Sequence, residues 1–168
     1  FLTSFELNNE SIPNTIISDN TGGFLMYERR VDLCITGADR ILSNGDVINK
    51  IGTYEKAVVA NEHNIPFYIA APASTIDFSH MNLHEITIEE RSSDEMKKIS
   101  GVDNGEILKV NIYPEKSESL NVAFDITPSK FISGIICEYG IFEASKEGIR
   151  EISNKLSKWS GYVTTIYR

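Results

Sequence analysis

The pattern of apolar and polar positions predicts strands that alternate with helices. Apolar runs typical of buried strands lie at 15–18, 31–35 and 66–71, and each is followed by a polar loop. Three such units predict a mostly parallel sheet with helices on its faces. No GxGxxG sequence follows any of these runs, so the predicted fold is an α/β, Rossmann-like domain without the dinucleotide fingerprint. A dehydrogenase is therefore disfavoured.

Helix-start signatures and helical spacing add further elements to this pattern. Ser92 with Glu95 three residues later predicts a capping box. Thr127 before Pro128 is typical of an N-cap followed by a first helical position. Helical spacing of Ile51, Tyr54, Ala57 and Val58 predicts a helix over 51–64, and further helices are predicted over 1–9 and 142–159. Strands are predicted over 108–113 and 134–138, and 161–167 fits a terminal strand or a tail packed on a neighbouring subunit.

Residues 35–54, the central segment, join a predicted strand to a predicted helix. Asp39 should follow the carboxyl end of the strand, and Asn49 and Lys50 should lie at the amino end of the helix. Ligands of open α/β sheets bind in the crevice outside the strand ends. Unpaired N–H groups at a helix start attract anions, so Lys50 beside them predicts a phosphate site. Ordinary turn chemistry is the competing explanation for the Asp, Asn and Gly residues of this loop.

Three motifs in the central segment resemble the signature of methylthioribose-1-phosphate isomerases. They are Gly37-Ala-Asp-Arg-Ile41, Asn44-Gly-Asp46 and Asn49-Lys-Ile-Gly-Thr53. The superfamily also includes ribose-1,5-bisphosphate isomerases and the regulatory subunits of the guanine-exchange factor for eukaryotic translation initiation. The resemblance covers about residues 1–142.

Two later segments favour the methylthioribose branch of that superfamily. Ile86-Thr-Ile-Glu-Glu-Arg91 is similar to its IxIEER segment, and residues 121–138 are similar to its NPAFDxTPxxxIxGIITE block. Val122 and Cys137 depart from the Pro and Thr that the family usually has there. Residues 89–91 fit either a solvated acidic edge or a salt-bridged surface that orients a loop or a partner subunit, and they are not predicted as catalytic groups.

The resemblance implies an aldose–ketose isomerase of methionine salvage that converts 5-methylthioribose 1-phosphate to 5-methylthioribulose 1-phosphate without a cofactor. It implies Asp39 as the general acid/base and Asn49 and Lys50 as substrate contacts. From the residues alone, apolar neighbours should partly bury Asp39 and raise the pKa of its carboxyl. Ribose-1,5-bisphosphate isomerase and a non-catalytic regulatory subunit are the alternatives.

The family's other functional groups lie upstream of the part that this chain resembles. They include a catalytic Cys, a substrate-binding Gln and phosphate-binding Arg residues, and Cys34 does not match the family's Cys motif. We expect a single Rossmann-like carboxyl-terminal catalytic domain over 1–168, with the family's amino-terminal helical domain absent from this chain. The resemblance also implies a homodimer.

Charge and composition argue against several other classes of protein. Asp and Glu number 24 against 16 Lys and Arg, a net charge of −8, which disfavours nonspecific binding to nucleic acid or to anionic membranes. No apolar run reaches the roughly 20 residues of a membrane helix. Cys34 and Cys137 are predicted as buried free thiols, which fits a cytoplasmic location. His80 and His84 lack a third ligand, so no metal site is predicted.

Overall fold

Mixed β-sheets flanked by helices build the chain, so the predicted α/β class is confirmed. In the computed structural model, the described residues are 2–80 and 86–166, with side chains described up to residue 157. The helices are α1 (Leu2–Asn9), α2 (Thr21–Tyr27), α3 (Thr53–Glu62), α4 (Asp94–Lys97) and α5 (Lys146–Ile166). The strands are β1 (Cys34–Thr36), β2 (Arg40–Leu42), β3 (Val47–Lys50), β4 (Phe67–Ala70), β5 (Ile76–Asp77), β6 (Lys98–Asp103), β7 (Glu106–Asn111), β8 (Phe124–Thr127), β9 (Gly134–Cys137) and β10 (Gly140–Phe142).

The first sheet contains parallel strands that the apolar runs predicted. β1, β4 and β9 lie side by side in parallel, and β10 pairs antiparallel with β9. These three parallel strands confirm the predictions at 31–35, 66–71 and 134–138. Continuous apolar runs form such strands because helices or other layers cover both faces of a parallel sheet. Cys34 begins β1 and Cys137 ends β9, and both are half-buried free thiols.

A second sheet replaces the polar loop that the sequence predicted after β1. β2 runs parallel to β5 and antiparallel to β3, and β8 pairs antiparallel with β3. The predicted mostly parallel arrangement therefore holds for the first sheet and not for the second. The β2–β3 hairpin turns at Asn44 and Gly45, where Gly45 has a φ of 89°. Because a Cβ there would lie 2.6 Å from the carbonyl carbon of Ala144, this position requires glycine.

One apolar core joins the two sheets and α5. Ile41 and Val47 of the second sheet belong to the same buried cluster as Phe67 and Ile69 of the first sheet. Ile152 of α5 is fully buried in this cluster. Burying a side chain of this kind contributes roughly 1.5–3 kcal/mol to the free energy of unfolding. The shared core therefore holds the β2–β3 hairpin in a fixed position against the edge of the first sheet.

β6 and β7 form a separate antiparallel ribbon. They pair with each other, and every residue of both strands is exposed. Asn104 and Gly105 close the ribbon with φ angles of 49° and 86°, as in the type I′ turn that Asn-Gly favours. β7 overlaps the strand predicted over 108–113, whereas the sequence predicted no strand for β6.

The strand predicted at 15–18 is wrong. This segment has no strand partner among the described residues, and its Ile16 is 78% exposed. An isolated extended segment has no sheet face on which to pack its apolar side chains. The helix predicted over 1–9 is confirmed as α1, which also has no buried residue.

α3 confirms the helix predicted over 51–64, but it begins two residues later, and of the predicted apolar positions only Ala57 is fully buried. β3 continues to Lys50, and Gly52, with a φ of 98°, separates the strand from the helix. Ile51 and Tyr54, which we expected on the apolar face, are 53% and 42% exposed. The buried side of the helix is formed by Thr53, Ala57 and Ala60.

Neither helix-start signature has the predicted role. Thr127 is the last residue of β8 and pairs with Val47, so Pro128 precedes only a single 3-10 turn at Ser129–Phe131. Sheet pairing therefore overrides the local signature of a helix start.

The predicted capping box is also absent. α4 begins at Asp94, and the Glu95 carboxylate accepts a hydrogen bond from the Asn121 amide at 3.3 Å instead of reaching back to its own helix start. Ser92 contributes only a weak contact, in which its hydroxyl oxygen accepts the Asp94 N–H at 3.3 Å.

α5 confirms the helix predicted over 142–159 but begins four residues later, because Phe142 belongs to β10. It also continues through the segment 161–166, for which a terminal strand was one of the two expectations. Its backbone is helical from Lys146 to Ile166. The β-branched residues near its end favour strands only weakly. Adding a turn to an existing helix is easy, because each further residue gains a backbone hydrogen bond. Residue 167 lies outside the described residues.

Candidate active site

The carboxyl ends of the three parallel strands meet at one edge of the first sheet. Asp39 lies three residues beyond β1, and Glu138 follows β9 directly. The N–H of Ala73, in the loop after β4, donates to Oε2 of Glu138 at 2.9 Å. This hydrogen bond joins the loops of two neighbouring strands, so the edge is held in one arrangement.

Asp39 opens onto a cleft at this edge. Its N–H donates to the carbonyl oxygen of Ile48 at 3.0 Å, which places it at the start of the β2–β3 hairpin. The cleft has a volume of about 240 Å³ and is lined by Asp39, Arg40, Ile48, Phe124 and residues 86–89. The expectation that Asp39 is partly buried is wrong, because the residue is exposed beyond the end of the apolar strand.

The opposite wall of the cleft is the segment that resembles the isomerase IxIEER motif. The carbonyl oxygen of Glu89 accepts the N–H of Ala123 at 3.0 Å, and the N–H of Arg91 donates to Asn121 at 2.8 Å. The guanidinium of Arg91 lies 5.9 Å from the centre of the Phe124 ring and donates to Glu89 at 3.1 Å. Of the two alternatives for residues 89–91, the Arg91–Glu89 ion pair supports the salt-bridged surface, although both side chains are exposed. The place of this surface beside Asp39 was missed, because the register of these segments is not visible in sequence.

Arg40 lines the cleft beside Asp39, and its guanidinium is paired with Asp77 of β5. Its Nη1 lies 3.4 Å from Oδ2 of Asp77. The Asp77 carboxylate also accepts hydrogen bonds from the Ser79 hydroxyl at 2.6 Å and from the His80 ring at 2.7 Å. These donors, chiefly the Ser79 hydroxyl, hold the pKa of the Asp77 carboxyl well below its usual range. Sequence reasoning missed this network, although an Asp two residues before a Ser is a common turn signal.

Asn49 and Lys50 are adjacent in β3 and therefore face opposite sides of the second sheet. Lys50 pairs with Phe124 and shares a face with Ile48. Ile48 and Phe124 both line the cleft. Asn49 pairs with Asp125 on the other face, toward α3. Lys50 therefore lies on the face of the sheet that carries the cleft-lining Ile48, and Asn49 lies on the face toward the start of α3.

The amino end of α3 already holds an anion. Asp125 accepts the N–H of Gly52 at 2.6 Å and the N–H of Tyr54 at 3.1 and 3.2 Å. The prediction that these groups are free to bind a phosphate is therefore wrong. Sequence reasoning missed Asp125 because more than 70 residues separate it from its partners, although the residue lies within the block that resembles the isomerases.

Other chemistry-bearing side chains lie outside this cleft. Burial raises the pKa of the Cys34 thiol above its usual value, so the side chain stays protonated at neutral pH and is a poor nucleophile. Among the described residues, no group of three His, Cys, Asp or Glu side chains could hold a metal ion. His84 lies outside the described residues. None of the helices in the described part of the chain is long and apolar enough to cross a membrane.

The chain belongs to the initiation factor 2 subunit family, whose model matches residues 2–144. Among curated relatives, it is 47% identical to a methylthioribose-1-phosphate isomerase of Desulfatibacillum aliphaticivorans over 90% of this chain and 41% of the relative. It is 53% identical to a protein of the same name from Aquifex aeolicus, over 86% of this chain and 30% of that protein. The chain therefore spans less than half the length of these relatives.

Two solved structures share the fold. One is 5-methylthioribose 1-phosphate isomerase from Pyrococcus horikoshii, with a TM-score of 0.80 and 38% identity over 91% of this chain and 41% of that chain. The other is the translation initiation factor eIF-2B subunit delta from A. fulgidus, with a TM-score of 0.77 and 38% identity over 90% of this chain and 42% of that chain. Structural similarity alone does not separate an isomerase from a translation factor subunit.

Proposed function

We propose that the protein containing this chain is an aldose–ketose isomerase of methionine salvage, which converts 5-methylthioribose 1-phosphate to 5-methylthioribulose 1-phosphate. The names of its relatives support this reaction, and the resemblance of its motifs supports the same branch. The single observation that carries the proposal is the cleft itself. There, the Gly37–Ile41 motif and the 86–91 motif, distant in sequence, form facing walls.

The reaction needs one hydrogen transfer and a proton shuttle between oxygens. The hydrogen on C2 of the sugar moves to C1, and the C2 hydroxyl loses its proton as C2 becomes a carbonyl. The bond between C1 and the ring oxygen breaks, and the ring oxygen takes up a proton. In the proposal Asp39 is the general acid/base for these proton transfers, a contribution worth roughly 10²–10⁴-fold in rate.

Lys50 and Asn49 are the proposed substrate contacts. Lys50 is exposed, shares a face with the cleft-lining Ile48, and carries a charge opposite to that of a phosphate or a developing oxyanion. Asn49 faces α3 and donates through Nδ2 to the Thr53 hydroxyl at 3.0 Å, so its carbonyl oxygen is the group proposed to accept a sugar hydroxyl on that side of the sheet. No cofactor enters the proposed reaction.

The cleft in this chain is one part of the proposed site. Its volume of about 240 Å³ lies below the roughly 300–1,000 Å³ that ligand sites commonly have. We propose that the chain is a carboxyl-terminal catalytic domain and that the remaining length found in the relatives supplies the other walls. The same proposal includes a cytoplasmic homodimer, which light scattering of the complete protein would test by its mass.

Phosphorus and proton NMR of the complete protein tests the reaction. The protein would be offered methylthioribose 1-phosphate and ribose 1,5-bisphosphate separately, in water and in heavy water. We expect turnover of the first substrate, and deuterium at C1 of the ketose would indicate transfer of a proton rather than a hydride. Turnover of ribose 1,5-bisphosphate alone would instead assign the chain to that branch.

Asp39→Asn tests the acid/base role, because it removes the ionisable group and keeps the size of the side chain. We expect kcat to fall by about 10²–10⁴-fold. Asp103→Asn, in the exposed β6–β7 ribbon, is the matched control and should leave kcat unchanged. Near wild-type turnover by Asp39→Asn would refute the assignment.

A translation factor subunit is the second candidate, favoured by the match to the A. fulgidus structure. On this reading, neither sugar phosphate is turned over by the complete wild-type protein, and Asp39→Asn has no kinetic effect to measure. Absence of turnover with both substrates would therefore move the assignment to a binding and assembly role.

A further inference from the structure

Asp125 occupies the anion position at the amino end of α3. Its two carboxylate oxygens accept the N–H groups of Gly52 and Tyr54 at distances between 2.6 and 3.2 Å. Helix starts favour negative charge because their first N–H groups lack partners within the helix. A half-buried carboxylate that is already bonded to two of these groups excludes a second anion from them.

The same carboxylate anchors the turn that carries the proposed substrate contacts. Gly52, whose N–H it binds, lies two residues after Lys50 and has a left-handed φ of 98°. Thr53 completes the turn, because its hydroxyl donates to the carbonyl oxygen of Lys50 at 2.7 Å and accepts from Asn49 at 3.0 Å. Asp125 also lies directly across from Asn49 in the sheet. Side chains on both β3 and β8 thus converge on one turn.

We propose that Asp125 is a positioning residue that fixes the turn after Lys50 and, through it, the orientation of Asn49 and Lys50, the proposed substrate contacts. Because Asp125 already binds the N–H groups at the amino end of α3, the substrate phosphate binds elsewhere. Asp125 contacts backbone N–H groups and faces α3 rather than the Asp39 cleft, so it acts through the turn and not on the reacting atoms. The inference rests on the proposed function, because it assigns a role to the substrate contacts of that function.

The expected kinetic signature is a change in KM rather than in kcat. Without the carboxylate, the Gly52 peptide loses its charged partner and the turn loses the contact that fixes Lys50 beside the cleft. Asp39 lies just before β2, away from this turn, and its N–H keeps the hydrogen bond to the carbonyl oxygen of Ile48. Substrate binding is therefore weakened while the proton transfers are retained.

Asp125→Asn in the complete protein is the first test, with Asp103→Asn as the control for loss of a surface carboxylate. Loss of a charged hydrogen bond predicts a KM for methylthioribose 1-phosphate raised roughly tenfold, with kcat nearly unchanged. Hydrogen exchange followed by mass spectrometry should show faster exchange in peptides covering residues 51–56 of Asp125→Asn and unchanged exchange in Asp103→Asn.

Rescue by formate gives a readout that a purely structural role would not produce. Asp125→Ala removes the carboxylate and opens its place, and formate supplies a carboxylate of the same charge. We expect added formate to lower the KM of Asp125→Ala and to slow exchange at residues 51–56, with no effect on the wild type. Inorganic phosphate should not slow exchange there in the wild type, because Asp125 holds the same N–H groups.

The outcomes separate this inference from the proposed function. A wild type without turnover overturns the proposed function and this inference with it. An active wild type whose KM is unchanged in both Asp125 variants overturns this inference alone. The same holds if the variants lose thermal stability while KM stays constant, or if phosphate protects residues 51–56 in the wild type.

Discussion

Two antiparallel hairpins in this chain contain the dipeptide Asn-Gly in their turns but differ in their surroundings. Asn44-Gly45 ends the three-residue turn of the β2–β3 hairpin, and Asn104-Gly105 forms the two-residue turn of the β6–β7 ribbon. β2 and β3 are short, yet β5 and β8 pair with their outer edges and the core covers Ile41. β6 and β7 are longer, but no other described strand pairs with them and all their residues are exposed.

The difference shows that the strands and core packed around a hairpin, rather than its turn sequence or strand length, decide whether it can position a functional side chain. A functional group must be held within a fraction of an ångström by packed surroundings. Only the β2–β3 hairpin meets this requirement, and it is the one that bears Asp39 at its start and Lys50 at its end. The contrast leads to four predictions, ordered by the size of the expected effect.

Truncation of one isoleucine in each hairpin should give the largest difference. Ile41→Ala removes a fully buried side chain and should lower the free energy of unfolding by about 3–4 kcal/mol. Ile107→Ala removes a side chain that is 78% exposed and should change it by less than about 0.5 kcal/mol. Urea-induced unfolding measures both, and equal losses would contradict the contrast.

The two turn glycines separate backbone strain from steric contact. Both have positive φ, so Ala at either position costs about 1–2 kcal/mol of backbone strain. Gly45→Ala also forces a Cβ against the backbone of Ala144, whereas nothing lies within 4 Å of a Cβ at Gly105. We expect Gly45→Ala to destabilise by roughly 1–3 kcal/mol more than Gly105→Ala in the same unfolding assay.

Asp77→Asn should weaken the outer support of the β2–β3 hairpin in a pH-dependent way. The Ser79 hydroxyl is the main group that lowers the folded-state pKa of Asp77 from 3.8. The ionised carboxylate therefore stabilises the fold fully above pH 3.8, and this stabilisation is lost as the pH falls toward the lowered pKa. At pH 7 we expect a loss of about 1–2 kcal/mol relative to wild type.

Thermal unfolding from pH 7 down to pH 3 checks the sign of this effect. The difference between wild type and Asp77→Asn should shrink toward the acid end of the range. A difference that grows as the pH falls would show that the ionised carboxylate is not the stabilising form. Asp103→Asn should show no comparable difference.

The smallest effect is expected at the ion pair between β6 of the ribbon and α4. Lys98 Nζ lies 2.7 Å from Asp94 Oδ2, closer than Arg40 lies to Asp77, but both partners are exposed. Solvent screening makes such pairs nearly neutral for stability, whatever their distance. Lys98→Gln should therefore leave the melting temperature unchanged at low and at high salt, and a clear decrease would show that the ribbon packs more firmly than its exposure indicates.

The sequence was sufficient for the parts of the fold that depend on local patterns. β1, β4 and β9 were predicted because each is a continuous apolar run next to a loop. Asp39 was placed correctly beyond β1, since that position depends only on where one strand ends. Neither hairpin was predicted in full, because β2 and β3 are too short to show alternation and Gly101 interrupts the apolar pattern of β6.

Apart from the local hydrogen bonds of Asp77, the missed parts of the candidate site are non-local. Asp125 meets Gly52 across 73 positions of sequence, and Arg40 meets Asp77 across 37. Such contacts depend on which strands become neighbours and in which register, and no local signature records either. The phosphate site expected at α3 was wrong for the same reason, because the local sequence indicates free N–H groups at a helix start but does not show that the distant Asp125 carboxylate binds them.

The two thiols at opposite ends of the first sheet have a practical consequence. The register places Cys137 four residues further along the strands than Cys34 and two strands across. With about 3.3 Å per residue and about 4.8 Å between strands, their Cα atoms are roughly 16 Å apart. A disulfide needs Cα atoms within about 7 Å, so oxidation cannot link these two thiols within the folded chain. Spin labels attached to these two cysteines would instead report the distance across the parallel strands of the folded chain.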